Sequence, residues 1–304
     1  LLTARAAAAF GLFGLLILIP AAAFAQAPPG AAPAPVAGYA PAIFQKPVAA
    51  DRMAFLQPMD RTPAGTVIRD KRYRKLMDAV VPDSLFHYGR DMPLAFALQG
   101  VFEKSSQPAQ IRDGRYLLLS SSGAGRAFMW MDLQAGIALG GIFFRPSNGE
   151  PTPTLTVFSR QVKVSSLAMS QLPPAFAEDL GRWQRQARVP AVSPRYFITG
   201  GNTKILLEHD EDYCAPGGGP AAPADCVQMN AAAADIDLNT ANYLEQTHHA
   251  TNATARMIFE PEQLAWFQLR DRSCLDVPDR LGCRIRLTRE RTRIIIQRTP
   301  RKRH

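Results

Sequence analysis

The stretch PEQLAWFQLRDRSC, residues 261–274, sets an amide, an indole, a guanidinium and a thiol close together. At about 100° per residue, a helix here brings Phe259, Gln263, Trp266, Phe267, Arg270 and Cys274 into one arc of about 100°, the width of a core-facing stripe. Two members are polar, so the stripe is either a wet groove or a packed face. A packed face needs a carboxylate for Arg270, because an unpaired buried charge costs several kcal/mol. Asp235, Asp237 and Glu245, on an acidic and apolar helical segment that begins near Asp235, are the candidates, and planar bidentate geometry suits Arg better than Lys there.

A second polar cluster is EHDEDYC, with Glu208, Asp210, Glu211 and Asp212 within five residues. Its spacing lacks the alternating ligands, Gly turn and distal Glu of a calcium loop. It is the strongest negative run in the chain and a candidate surface for a cationic partner. SSSGAGR, residues 120–126, has too few glycines and no following Lys-bearing helix for a phosphate loop, and reads as a hairpin turn. Ser120 to Ser122 lack a nucleophile-elbow setting, and His87, His209, His248, His249 and His304 show no partner pattern for nucleophilic catalysis. The expectation is a non-catalytic protein with no cofactor.

Cys214, Cys226, Cys274 and Cys283 have no CxxC spacing, and His248 and His249 point apart on a helix or a strand, so no metal site is expected. Two disulfides are. Three pairings are open, and the short 214/226 and 274/283 spacings favour local bridges.

The elements that must position these residues fall into blocks. Residues 1–25 have the order of a secretory signal: Arg5, the apolar AFGLFGLLILIP, then Ala23-Phe24-Ala25 as a small-x-small cleavage site. No Cys follows that site, and no later segment is long and apolar enough to span a bilayer. The expected location is periplasmic or secreted, which suits the cysteines. Residues 26–49 form a Pro/Ala-rich tether.

Residues 50–214 read as an α+β domain with a mainly antiparallel sheet. RDKRYRKLMDAVV, PLAFALQGVFEKS and AFAEDLGRWQRQ have helical spacing, the second with Asp91 as cap and Pro93 in its first turn. GRYLLLSSS, RAFMWMDL, IALGGIFF and TPTLTVFSRQV are strand runs, with DLQAG as a turn and RYFIT-GGN-TKILLEH as a later hairpin. Alternation puts Phe128 and Trp130 on one face and Ala127, Met129 and Met131 on the other, so both faces are expected to be covered. Residues 215–225 are a Gly/Pro linker and 226–298 a small all-α module, with Ile294 to Ile296 ambiguous between helix and strand. Residues 299–304 are a basic tail.

The net charge of +9 is concentrated at the end of the chain. Residues 284–304 hold nine Lys/Arg against the single acid Glu290. Such a terminus attracts anionic envelope polymer; in an exported chain nucleic acid is not an expected partner.

ADIDLN at 234–239, EQLAWFQLRDRSC at 262–274, Cys283 and TRERTRI at 288–294 together resemble the LprI-type lysozyme-inhibitor domain, a helical disulfide module of exported bacterial proteins. Asp235, Asp237, Leu238 and Asn239 match its first helix. Gln263, Trp266, Arg270, Asp271 and Cys274 match its Q-x-x-W-x-x-x-R-D-x-x-C core. The stretch IALGGIFFRPSNGEPTPTLTVFSRQV resembles uncharacterised exported proteins that carry the same module. The resemblance implies binding to a lysozyme-like hydrolase by blocking its cleft. The alternative is an envelope-associated structural or adaptor protein held to anionic polymer by its basic C-terminus.

Overall fold

RAFMWMDL becomes the central strand because its alternate side chains satisfy two different cores at once: Phe128 and Trp130 on one face, Ala127, Met129 and Met131 on the other, all buried. The computed structural model describes residues 41–123, 125–215, 223–248 and 253–299, and Ala37–His304 is one compact unit. The proposed signal, residues 1–25, and the tail beyond Thr299 lie outside the described residues.

Two short helices, α1 (Ala50–Met53) and α2 (Ala64–Val67), lead into α3 (Lys71–Val80), whose N-terminus is capped by the Asp70 side chain. A two-stranded ribbon, β1 (Leu85–His87) and β2 (Asp91–Pro93), precedes α4 (Leu94–Phe102). Asp91 therefore does not cap α4. It pairs with His87 across the ribbon, and Pro93, held at a non-helical ψ of 135°, is the capping residue.

The main sheet begins with β3 (Gln110–Arg112), β4 (Tyr116–Ser122), β5 (Arg126–Asp132), β6 (Ile137–Phe144) and β7 (Thr154–Ser159), an antiparallel meander. After β8 (Leu167–Ala168) and α5 (Pro174–Gln186) the chain returns as β9 (Arg195–Thr199), parallel to β7, and turns back as β10 (Lys204–Glu208). The strand order is β3-β4-β5-β6-β7-β9-β10-β8.

Three helices complete the described chain: α6 (Pro223–His248), α7 (Ala253–Ser273) and α8 (Arg280–Arg298). The helix bearing Asp235 starts ahead of it, at Pro223, inside the expected linker, and Ile294 to Ile296 are helical. The architecture is α+β, a mostly antiparallel sheet followed by disulfide-bearing helices.

The sheet is covered on both faces. Leu117, Leu119, Met129 and Ile142 pack with Tyr73, Leu76, Leu98 and Phe102 of α3 and α4. On the opposite face Phe128 and Trp130 meet Phe176, Leu180 and Trp183 of α5, with Trp130 Nε1 donating to the buried Asp179 carboxylate at 2.8 Å. Gly140 and Gly141 of β6 make this packing feasible: a Cβ on the first would collide with the Phe158 ring and the Met129 sulfur, on the second with the Phe128 ring. In the β5–β6 turn, Asp132 accepts the N–H groups of Gln134 and Ala135, and Gly136 takes φ 69°.

The expected tether is docked at its end. Phe44 and Val48 are buried, and Gln45 and Val48 donate to the carbonyls of Gln161 and Gly136 at 2.6 and 2.8 Å. Composition concealed this, because two apolar side chains among prolines and alanines suffice to anchor so short a segment.

Candidate functional site

The residues singled out by motif and charge converge where α6, α7 and α8 meet the sheet. Small residues let the helices approach: Ala233, Ala234 and Ala241 of α6 are fully buried. Leu238 and Ala241 join Leu206 of β10 and Ile295 of α8 in one apolar cluster, flanked by Leu244, Trp266 and Phe267. Cys214–Cys226 ties the segment after β10 to the first turns of α6, and Cys274–Cys283 ties the end of α7 to the start of α8. Both bridges are local, as the spacing favoured.

The stripe on α7 faces inward. Phe259, Gln263, Arg270 and Cys274 are buried, and Trp266 and Phe267 are partly so. The Arg270 guanidinium lies 5.4 Å from the Trp266 ring and 5.1 Å from the Phe267 ring, within cation–π range. It pairs with Asp271 at 2.9 Å and Asp235 at 3.4 Å and donates to Thr288 Oγ1 at 3.2 Å. Of the three candidate carboxylates, Asp235 alone reaches it. Glu245 takes Arg298 at 2.7 Å, and Asp237 faces the sheet. Leu238 is buried and Asn239 exposed. Gln263 is buried with neither its amide nitrogen nor its oxygen hydrogen-bonded to the described residues.

The acidic run is engaged within the molecule. Glu208 lies 3.4 Å from Arg293, and Asp210 accepts from the backbone and hydroxyl of Ser170. Glu211 accepts from Arg195 at 2.7 Å, and Asp212 accepts from Asn230 at 2.8 Å and from the Cys214 N–H at 3.0 Å. These carboxylates hold the chain as it passes from β10 to α6.

Sequence reasoning missed the groups at the centre of this junction. His209 is completely buried; its backbone N–H donates to Asp237 Oδ2 at 2.7 Å, and its Nδ1 lies 2.6 Å from Asp237 Oδ1. Beside it, buried Arg195 also donates to the Tyr213 hydroxyl and the Ala191 carbonyl, each at 3.1 Å. The signals were an Arg opening a strand otherwise free of charge, RYFIT, and a His set among acids.

Burial pushes Asp237 up to about 7, against the His209 N–H and the positive charges of Arg195 and Arg289, which pull it down. Burial also pushes His209 well below its ordinary value, with Arg195 next in effect. Both shifts favour the uncharged forms. A carboxylate orienting an imidazole is half of a general-base arrangement, yet this imidazole has no exposed edge and its Nε2 is buried without a hydrogen-bond partner among the described residues. The pair joins sheet to helix; it has no access to a substrate.

Among the described residues no helix is long and apolar enough to cross a membrane. Comparison with family models, with curated proteins and with solved structures finds no match.

Proposed function

We propose that the chain is an exported, non-catalytic binding protein of LprI type, whose α7 meets a lysozyme-like hydrolase. The observation that carries this reading is the division of α7 into two faces. Its motif side chains turn inward, while Pro261, Leu264, Ala265, Gln268, Leu269 and Arg272 share the outer arc, with Leu264 and Leu269 61% and 60% exposed. Two large aliphatic side chains held on a braced helix are a contact surface of the kind protein partners use. The two disulfides agree with export, since such bonds persist in oxidising compartments.

Adding the purified chain to lysozyme and following lysis of a cell-wall suspension tests the reading. Slower lysis that is restored by Leu264→Asp together with Leu269→Asp supports it. An unchanged rate at large molar excess removes the inhibitor function.

The adaptor reading is favoured by a different observation, the exposed Arg280, Arg284, Arg286 and Arg293 along α8. It requires salt-sensitive retention on an anionic polymer that weakens when residues 299–304 are deleted.

A further inference from the structure

Away from the helical junction, residues 69–75, RDKRYRK, hold five Lys/Arg against the single acid Asp70. They lead into α3, whose amphipathic spacing buries Tyr73 and Leu76 and leaves Lys71, Arg72, Arg74 and Lys75 exposed. Cations in the first turns of a helix oppose its dipole. Lys71 and Arg74 therefore do not serve the stability of α3, and with Lys75 their side chains make no hydrogen bond or ion pair to the described residues. Arg72 is held differently. Its Nη2 lies 2.7 Å from Asp70 Oδ2 and its guanidinium 4.6 Å from the Phe55 ring, which fixes the group in place with Nη1 uncommitted to any described residue.

Phe55 belongs to the 3-10 turn Ala54–Met59 that follows α1, and between that turn, α1 and α3 lies an open groove of about 460 Å³. Phe55 and Leu76 are its apolar lining, Arg52, Arg72 and Lys75 its cations, and Asp51 its acid. The exposed side chains of Asp51 and Arg52 have no partner among the described residues.

Three features restrict what such a groove takes. Guanidinium and ammonium groups on both of its sides attract an anion and pair well with carboxylates. A concave cleft admits a chain, whereas a bilayer presents a flat face. The Asp51 carboxylate only accepts hydrogen bonds, so a ligand that suits it brings hydroxyl donors beside its anionic groups. A polyphosphate has charged oxygens without donors and is repelled there. Sugar rings carry the hydroxyls, and their C–H faces match Phe55 and Leu76.

We infer that the groove between α1 and α3 binds an acidic polysaccharide, with Arg52, Arg72 and Lys75 taking its carboxylates and Asp51 its hydroxyls. This contact is separate from α7 and from the basic C-terminus, so it stands whichever of the two readings of function holds.

Calorimetric titration of the full chain with hexagalacturonate, and with maltohexaose as its neutral counterpart, tests the inference. Hexagalacturonate is expected to bind, more weakly as salt rises, and maltohexaose is not. Arg52→Glu with Lys75→Glu, at two exposed positions, is expected to weaken binding about tenfold, the worth of two exposed ion pairs, with the far-ultraviolet circular dichroism unchanged. The milder Arg52→Gln with Lys75→Gln is expected to fall between. Asp51→Ala is expected to weaken hexagalacturonate and to strengthen a linear polyphosphate. The proposal is overturned if hexagalacturonate does not bind at millimolar concentration, if maltohexaose binds equally well, or if both double variants keep full affinity. Tighter hexagalacturonate binding by Asp51→Ala removes the sugar hydroxyls as its partners. Polyphosphate or phosphatidylglycerol vesicles that bind more tightly than hexagalacturonate, and lose that binding in the double variants, reassign the groove to a phosphate polymer or to a membrane.

Discussion

At the scale of single residues, the buried His209–Asp237 pair makes the sharpest prediction. Just below pH 6.5 the unfolded chain carries its proton on the imidazole, given ordinary values of 3.8 for Asp and 6.5 for His; the folded chain carries it on the carboxyl. The proton count is the same, so the pair adds no slope to stability in that window. Each partner alone does. With Asp237→Asn, the depressed His209 remains: the unfolded state binds the extra proton, and stability falls as pH drops below 6.5. With His209→Gln, the raised Asp237 remains: the folded state holds the extra proton, and stability falls as pH rises from 4 to 7. Urea titrations at several pH values read both slopes, and two variants sloping the same way contradict the assignment. Arg270 argues differently. Its partner Asp235 has a side chain 57% exposed, so that ion pair is screened, and Asp235→Asn is expected to cost less than about 1 kcal/mol. Arg270→Ala, which also removes contacts with Trp266, Phe267 and Thr288, is expected to cost about 1–3 kcal/mol. Denaturant midpoints separate the two.

At the scale of elements, packing in the sheet depends on glycine as much as on large side chains. Gly140→Ala places a methyl group against Phe158 and Met129 in the centre of the sheet. A loss of about 1–3 kcal/mol in thermal or urea unfolding is expected; an unchanged midpoint means that β6 shifts to accept it. The strands were legible because RAFMWMDL and IALGGIFF combine β-forming residues with clear turn residues between them. The α7 stripe was legible because a 3.6-residue period survives in a sequence that also holds Gln and Arg. The cap of α4 was misread, since Asp91 followed by Met-Pro fits a helix start as well as a strand, and pairing with β1 decides between them. The junction stayed hidden for a further reason. His209 and Asp237 are far apart in the chain, and nothing local distinguishes an aspartate that binds an imidazole from the neighbouring Asp235, which binds a guanidinium.

At the scale of the whole molecule, β3 to β7 pair with chain neighbours, whereas β9 reaches β7 only after α5 has crossed the sheet, and α6 needs β10 in place before Asp237 meets His209. Local pairing closes shorter loops and is favoured kinetically. Pulse-labelled hydrogen exchange during refolding is therefore expected to protect residues 116–159 before 195–208, with α6 no earlier than β10; protection of β9 ahead of β6 contradicts this order. The parallel seam between β7 and β9 also matters on the ribosome. While residues beyond Ser159 are still being made, the half-built sheet ends in an unsaturated border that neighbouring nascent chains on the same message could occupy. The pace of translation through the codons for residues 160–195 thus sets how long that border stays open.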